Sequence, residues 1–299
     1  MCSSDLSLDP ANARRCAELT GVMQAECRAM MIKDLAIQSN DPGLCRLIAA
    51  DQTRIRSYCD LHFWPSRTMT AREQDEAVRQ ILARNVLLER REDGRYEETA
   101  EARGLEIGGW SWDVSTGDFD LDGWQDVYIV NGTWVPNEVT PSNIFLRNRG
   151  NGDFEELTPQ WGLEDYLMTA AASLADFDGD GDLDIVTVPV NGPPVHFRNN
   201  VQDTNALAIR LIDEAGNRDA IGARLELRTD AGLQVRELQL GGGFMSFDAP
   251  VAHFGLGEHA EAGSLSIRWP DGAITELSEP LAAGSTYTIT RRLDAPVGE

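Results

Sequence analysis

Apolar and polar residues alternate in short runs through the last third of the chain. Ala206-Leu207-Ala208-Ile209-Arg210-Leu211, Ala223-Arg224-Leu225-Glu226-Leu227, Val235-Arg236-Glu237-Leu238-Gln239-Leu240, Leu265-Ser266-Ile267-Arg268-Trp269 and Thr286-Tyr287-Thr288-Ile289 all read this way. A period of two predicts strands that bury one face. Asp230-Ala231-Gly232 and Pro270-Asp271-Gly272 supply turns between them. The expectation for residues 201–299 is a β-sandwich-like module with one wet face.

The middle of the chain is also β-rich, with a different texture. Val127-Tyr128-Ile129-Val130 and Ile185-Val186-Thr187-Val188 are strand-forming runs, while Asp93-Gly94 and Asn151-Gly152 are hairpin turn signals. Slid by 58 positions, Leu88 to Asp126 aligns on Leu146 to Asp184 without a gap. Gly94, Gly104, Asp118, Asp120, Asp122, Gly123 and Asp126 fall on Gly152, Gly162, Asp176, Asp178, Asp180, Gly181 and Asp184. A weaker third start, Phe197-Arg198-Asn199-Asn200, resembles Phe145-Leu146-Arg147-Asn148. Repeated units of short strands predict blades of a partial β-propeller, two of them clear.

The first 65 residues read as helical. Setting Cys2 aside leaves Cys16, Cys27, Cys45 and Cys59, and an Asp-Pro precedes Cys16 and Cys45 (Asp9-Pro10, Asp41-Pro42). Asp as a cap with Pro at the first helical position suits a helix start. Four cysteines allow three pairings. The expected one is Cys16–Cys27 and Cys45–Cys59, which implies an oxidising compartment. Zinc is the rival reading, but separations of 11 and 14 lack the usual close ligand pairs. A further helix is predicted from Thr70 to about Leu88, opened by a capping-box spacing of Thr70 and Glu73. Residues 66–200 are then this helix followed by the two blades. Met1-Cys2-Ser3-Ser4-Asp5-Leu6 reads as a non-native scar, with further blades of the same chain expected upstream.

The candidate chemistry lies in the repeated pattern Asp-x-Asp-x-Asp-Gly-x-x-Asp. Its second copy, with Asp182, packs five aspartates into nine positions. Two carboxylates about 4 Å apart repel by about 4 kcal/mol at a surface-like dielectric, so something must offset them. Hard oxygen ligands in a flexible loop suit Ca²⁺. The predicted metal residues are Asp118, Asp120, Asp122, Trp124 (through its backbone carbonyl) and Asp126 in one loop. In the other they are Asp176, Asp178, Asp180, Asp182 and Asp184. An EF-hand starts alike but needs Glu at position 12, where Ile129 and Thr187 stand here. Closure at position 9 therefore predicts two short β-loop-β Ca²⁺ sites. The plain alternative is an acidic turn with no ion.

Charge narrows the partners. A formal net charge of -23 makes nucleic acid and anionic membranes poor partners and cations good ones. No stretch has the length and apolarity of a spanning helix.

The aspartate pattern resembles FG-GAP, or VCBS-like, repeats of integrin-type β-propellers, over about residues 85–200. That resemblance implies Ca²⁺ held by the loops named above. Such propellers close with about seven blades, so two leave either further blades or a partner to cover open edges. Asn217 to Arg224, Gly241-Gly242-Gly243-Phe244-Met245-Ser246, His253-Phe254-Gly255-Leu256-Gly257 and Ile267 to Gly272 together resemble the ASPIC/UnbV domain. The two in this order resemble the cartilage acidic protein family.

Nothing points to catalysis. His62, His196, His253 and His259 make no triad or metal spacing, and Ser246 lacks the flanks of a nucleophile elbow. Gly241-Gly242-Gly243 is followed by no helix former or Lys-Ser/Thr and reads as a β-turn rather than a phosphate cradle. Trp110, Trp112, Trp124 and Trp134 read as blade packing, or as sugar-stacking surfaces in the rival account. Asn131-Gly132-Thr133 fits a glycosylation sequon. The expected function is a secreted, Ca²⁺-binding, non-catalytic binding or adhesion module, extracellular or periplasmic, with an unknown protein or glycan partner. The alternative is an accessory or carbohydrate-binding part of a larger extracellular enzyme.

Overall fold

A computed structural model describes residues 16–17, 19–63, 84–132, 142–190 and 192–292. The chain is mainly β with a helical start. Helix α1 (Gly21–Ser39) is rich in Ala, Met, Leu and Ile and ends at Asn40 in the left-handed conformation. Asp41 then caps a 3₁₀ turn (Pro42–Leu47), its side chain accepting the Gly43 N–H at 2.8 Å. The Asp41-Pro42 signal is therefore a true start, of a turn of 3₁₀ helix rather than a long helix, while Asp9-Pro10 lies outside the described residues. Helix α2 (Thr53–His62) follows. The disulfides are Cys16–Cys27 and Cys45–Cys59, as the spacing predicts. The second sits inside a small core with Ala29, Ala36, Ile48 and Ile55. The helix expected from Thr70 lies outside the described residues except near its end, where Leu88 begins a strand.

The repeat of 58 residues holds at the level of hydrogen-bond register. Strands β1 (Leu88–Arg90) and β2 (Tyr96–Glu98) pair Leu88 with Glu98 and Arg90 with Tyr96. A short helix α3 (Ala100–Arg103) leads to a sheet of β3 (Ser111–Gly117), β4 (Asp126–Asn131), β5 (Ile144–Asn148) and β6 (Phe154–Glu156), antiparallel in that order. In it β5 and β6 pair Leu146 with Glu156 and Asn148 with Phe154, the β1–β2 register displaced by one repeat. Strands β7 (Thr169–Ala175), β8 (Asp184–Pro189) and β9 (Val195–Phe197) form a three-stranded sheet. Even the irregularity repeats: the shift between Ser111 and Asp113 on β3 recurs between Thr169 and Ala171 on β7.

These two sheets share a core of Phe119, Tyr128, Phe145, Leu174, Leu183 and Ile185. Phe145 packs edge-on to Phe119 and tilted against Trp161, with centroids 5.7 and 4.6 Å apart.

The C-terminal strands are β10 (Asn205–Asp213), β11 (Arg224–Thr229), β12 (Gly232–Glu237), β13 (Val251–Gly257), β14 (Glu261–Ala262), β15 (Leu265–Arg268), β16 (Ile274–Leu277), β17 (Leu281–Ala282) and β18 (Ser285–Arg291). One sheet runs β13-β10-β18 and another β12-β11-β15-β16. Ile209, Leu211, Leu225, Leu227, Phe254, Ile267 and Trp269 fill one core drawn from both, the expected sandwich-like arrangement. Arg291 fastens the ends, bonding Asp213 at 3.0 Å and Asp271 at 2.8 Å while lying over the Trp269 ring. One expectation changes. The start of β10 has no wet face, since Ala206 through Ile209 are all buried.

Replacing both Cys45 and Cys59 by Ser opens a loop of 14 residues. The helical segment then loses about 3 kcal/mol in the chain-entropy picture. Urea unfolding followed by far-UV circular dichroism should show the helical signal lost at lower urea than in the parent, with the β signal unmoved.

Candidate metal centre

Each aspartate loop joins the first two strands of its sheet, the edge strand and its neighbour, β3 to β4 and β7 to β8. The ninth residue closes it. Asp126 accepts the Phe119 N–H at 3.0 Å with one oxygen and the Asn148 N–H at 2.8 Å with the other. Asp184 does the same with Phe177 at 3.0 Å and Asn199 at 2.7 Å. Both are fully buried. Glycine at position 6 is required conformationally, with φ of 95° at Gly123 and 100° at Gly181.

Within this frame the carboxylates converge. In the first loop, ligand oxygens of Asp118, Asp120 and Asp126 lie within 4.8 Å of one another. In the second, Asp176, Asp178 and Asp180 do so. Asp122 caps the Trp124 N–H at 2.9 Å and stands outside the first cluster. Asp182 and Asp184 stand outside the second. Asp182 binds the Val201 N–H at 3.1 Å, and Asp184 closes the loop. Trp124 is at position 7, half exposed, its indole beside Gly150.

Within the two loops, the buried oxygens Asp118 Oδ1 and Asp182 Oδ1 have no hydrogen-bond partner. An unsatisfied buried carboxylate oxygen is costly. A hard cation would satisfy it, and the all-oxygen donor set fits Ca²⁺.

The electrostatics agree. Burial pushes Asp118 up to about 7, against the pull of Arg236 and with a further push from Asp122 and Asp120. Burial also pushes Asp126 up to about 8. Asp182 rises to about 7 through burial and the neighbouring Asp180 carboxylate. These sites hold more negative charge than they can keep ionised alone.

The sequence reading missed two pairs of residues. Arg147 bonds Asp120 and, at 3.4 Å, Asp122. Arg198 bonds Asp178 and, at 3.4 Å, Asp180. Each arginine thus clamps positions 3 and 5 of its loop. The next residue, Asn148 or Asn199, also gives its side-chain N–H to the Gln125 or Leu183 carbonyl at 3.1 and 3.3 Å. Arg198-Asn199 is therefore the counterpart of Arg147-Asn148. The third repeat start belongs one residue away from the alignment of Phe197 on Phe145. The shared Arg-Asn pair was the available signal.

The tryptophans divide. Trp112 gives its indole N–H to the Gly132 carbonyl at 2.6 Å and packs against Phe244. Trp110 and Trp124 are partly exposed. Trp134 lies outside the described residues. His253 is largely buried on β13, as a structural residue would be. The segment Gly241–Gly243 is irregular backbone beside the repeats, with no helix following it, which suits a turn and not a phosphate cradle.

Sequence comparisons agree with this architecture. The FG-GAP-like repeat model matches residues 134–187, which include the second aspartate loop. The ASPIC and UnbV model matches residues 213–294, within the C-terminal β module. The chain is similar to an FG-GAP-like repeat followed by an ASPIC and UnbV module. Cartilage acidic protein 1 of Homo sapiens is 31% identical over 182 residues, 59% of this chain and 27% of the relative. The Mus musculus protein of that name is 32% identical over 171 residues, 55% and 26%. The Xenopus tropicalis protein is 31% identical over 166 residues, 54% and 26%. The chain thus spans about a quarter of the length of these relatives.

The raised carboxylates set a pH dependence. A carboxyl whose folded pKa lies above its unfolded value favours the folded state while protonated, and that contribution is lost as pH rises. In chelator, the melting temperature should therefore fall between about pH 5 and pH 8, the range set by Asp118, Asp126 and Asp182. In Ca²⁺ the fall should shrink or reverse, because protons and the ion compete for the same oxygens. Thermal melts across that range, with and without Ca²⁺, check both.

Proposed function

We propose that this chain is a secreted, Ca²⁺-stabilised binding or adhesion module with no catalytic role. The observation that carries the reading is a cluster of three carboxylates in each loop, at positions 1, 3 and 9 of the first and 1, 3 and 5 of the second, with a buried, unpartnered oxygen on Asp118 of the first cluster and on Asp182 beside the second. Asp118, Asp120 and Asp126 hold one ion, with Asp122 and the Trp124 carbonyl adjacent. Asp176, Asp178 and Asp180 hold the other, with Asp182 and Asp184 behind them. Ion binding then adds directly to folding stability. The two disulfides support an oxidising location, extracellular or periplasmic.

The sheets act as propeller blades in this reading. Strands β1 and β2 repeat the outer pair β5 and β6, so they stand as the outer half of a preceding blade. At the other end Phe177 is 52% exposed, where its counterpart Phe119 is buried between two sheets. Further blades or a protein partner covers that side.

Calorimetric titration of Ca²⁺ into chelator-stripped protein, with Mg²⁺ as control, tests the reading. Two sites preferring Ca²⁺ are expected, and Asp184→Asn should weaken one of them and lower the melting temperature. At free Ca²⁺ about a hundredfold above the dissociation constant, each site adds about 2.7 kcal/mol. Identical melts in Ca²⁺ and chelator would refute the reading.

A further inference from the structure

The two loops differ in what lies behind them. Asp118, the first residue of the first loop, spends one oxygen on two modules at once. Its Oδ2 accepts the Gly123 N–H of its own loop at 3.0 Å and the Gly255 N–H of β13 at 3.0 Å. The Arg236 guanidinium of β12 stands 4.0 Å away. Its Oδ1 is buried without a partner.

The loop's fourth residue is held by the same strand. Leu121 sits in the left-handed region at φ 59°, where the second loop has Gly179 at φ 80°. A leucine there is strained. Its burial and the Gly257 N–H, given to its carbonyl at 2.8 Å, hold it in place. The fit is close: a Cβ on Gly255 would meet Asp118 Oδ2 at 2.2 Å and the Leu121 backbone at 2.4 Å.

Among the described residues the second loop makes no hydrogen bond to β13, and its Asp176 acts on His253 of that strand only through space, by charge. Asp176 spends its oxygens on the loop's own amides, Gly179 at 2.7 Å and Gly181 at 3.1 Å. Gly179 and Gly181 have nothing within 4 Å of an added Cβ.

We infer that the first loop is a cation-dependent latch, whose ion fastens the repeats to strand β13 of the C-terminal module, while the second loop's ion stabilises only its own sheet. The inference rests on the proposed Ca²⁺ reading of the loops. An ion on Asp118 Oδ1 fixes the carboxylate so that Oδ2 faces Gly255. Without it, the carboxylate keeps only Arg236 as counter-charge, and loop and strand part more readily. Coupling of this kind is reciprocal, so docking of β13 also tightens the ion.

Hydrogen–deuterium exchange of the full chain in Ca²⁺ and in chelator tests this, read on peptides covering Val251 to Gly257. Ca²⁺ should slow exchange there about tenfold, within the usual range for coupled sites. Asp120→Asn in the first loop should abolish the slowing, and Asp178→Asn in the second should leave it. Gly255→Ala should weaken Ca²⁺ at the first loop by a similar factor and spare the second. The latch is overturned if calorimetry shows both sites filling while exchange across Val251 to Gly257 is unchanged. It is equally overturned if Asp178→Asn removes the slowing as Asp120→Asn does. Absence of Ca²⁺ binding altogether would overturn the ion reading first, and the latch with it.

Discussion

The repulsion among closely spaced carboxylates is the constraint around which this molecule is arranged. Each loop gathers aspartates at the end of a hairpin, and each has a buried ninth residue, Asp126 or Asp184, whose two oxygens tie the loop to two separate backbone amides. That capping fixes the loop's shape. It also leaves other carboxylates of the loop close together, where like charges repel. The protein offsets part of this through Arg147 and Arg198, on the neighbouring strand or just past its end. The arginines reach positions 3 and 5. They do not reach the innermost oxygen of the first loop, Asp118 Oδ1. In the proposed reading a cation would complete the set and turn an electrostatic cost into a source of stability.

The joint between modules is built on the same residues. Besides Asp118 and Leu121, the segment before β13 lies along β7. The Leu174 N–H reaches Asp248 at 2.8 Å, and the Ala249 N–H reaches the Leu174 carbonyl at 3.1 Å. Asp113 of β3 accepts from Ser246 and from the Ala172 N–H, each at 3.0 Å. The glycine-rich stretch therefore serves as a docking loop. Glycine fits at position 243 because a Cβ there would meet Asp113 Oδ2 at 2.5 Å.

What could be read from the sequence was local or periodic. Asp93-Gly94 and Asn151-Gly152 form hairpins because their preference is set within a few residues. The cysteine pairs close short loops, and the aspartate spacing marked Asp126 and Asp184 as ion ligands, whereas the fold uses both to hold backbone amides and places only Asp126 in a carboxylate cluster. What could not be read is contact between distant elements. Arg147 and Asp120 are 27 residues apart, and Asp118 and Gly255 are 137 apart. Neither pair leaves a periodic trace. The Arg-Asn pair did repeat, but matching Phe197 to Phe145 hid it, because an aromatic match outweighed the polar one. The strained Leu121 was equally invisible, since its conformation depends on burial and on Gly257.

A hard cation at the first loop, beside Trp124, is the central claim. Terbium, a luminescent substitute for Ca²⁺, reports this directly when its emission is excited through a neighbouring indole. Titration into chelator-stripped protein should give tryptophan-sensitised emission that Ca²⁺ displaces and Mg²⁺ does not, and Trp124→Phe should remove most of it without unfolding the chain. Absence of sensitised emission from folded protein, or emission that Ca²⁺ fails to displace, would contradict the account.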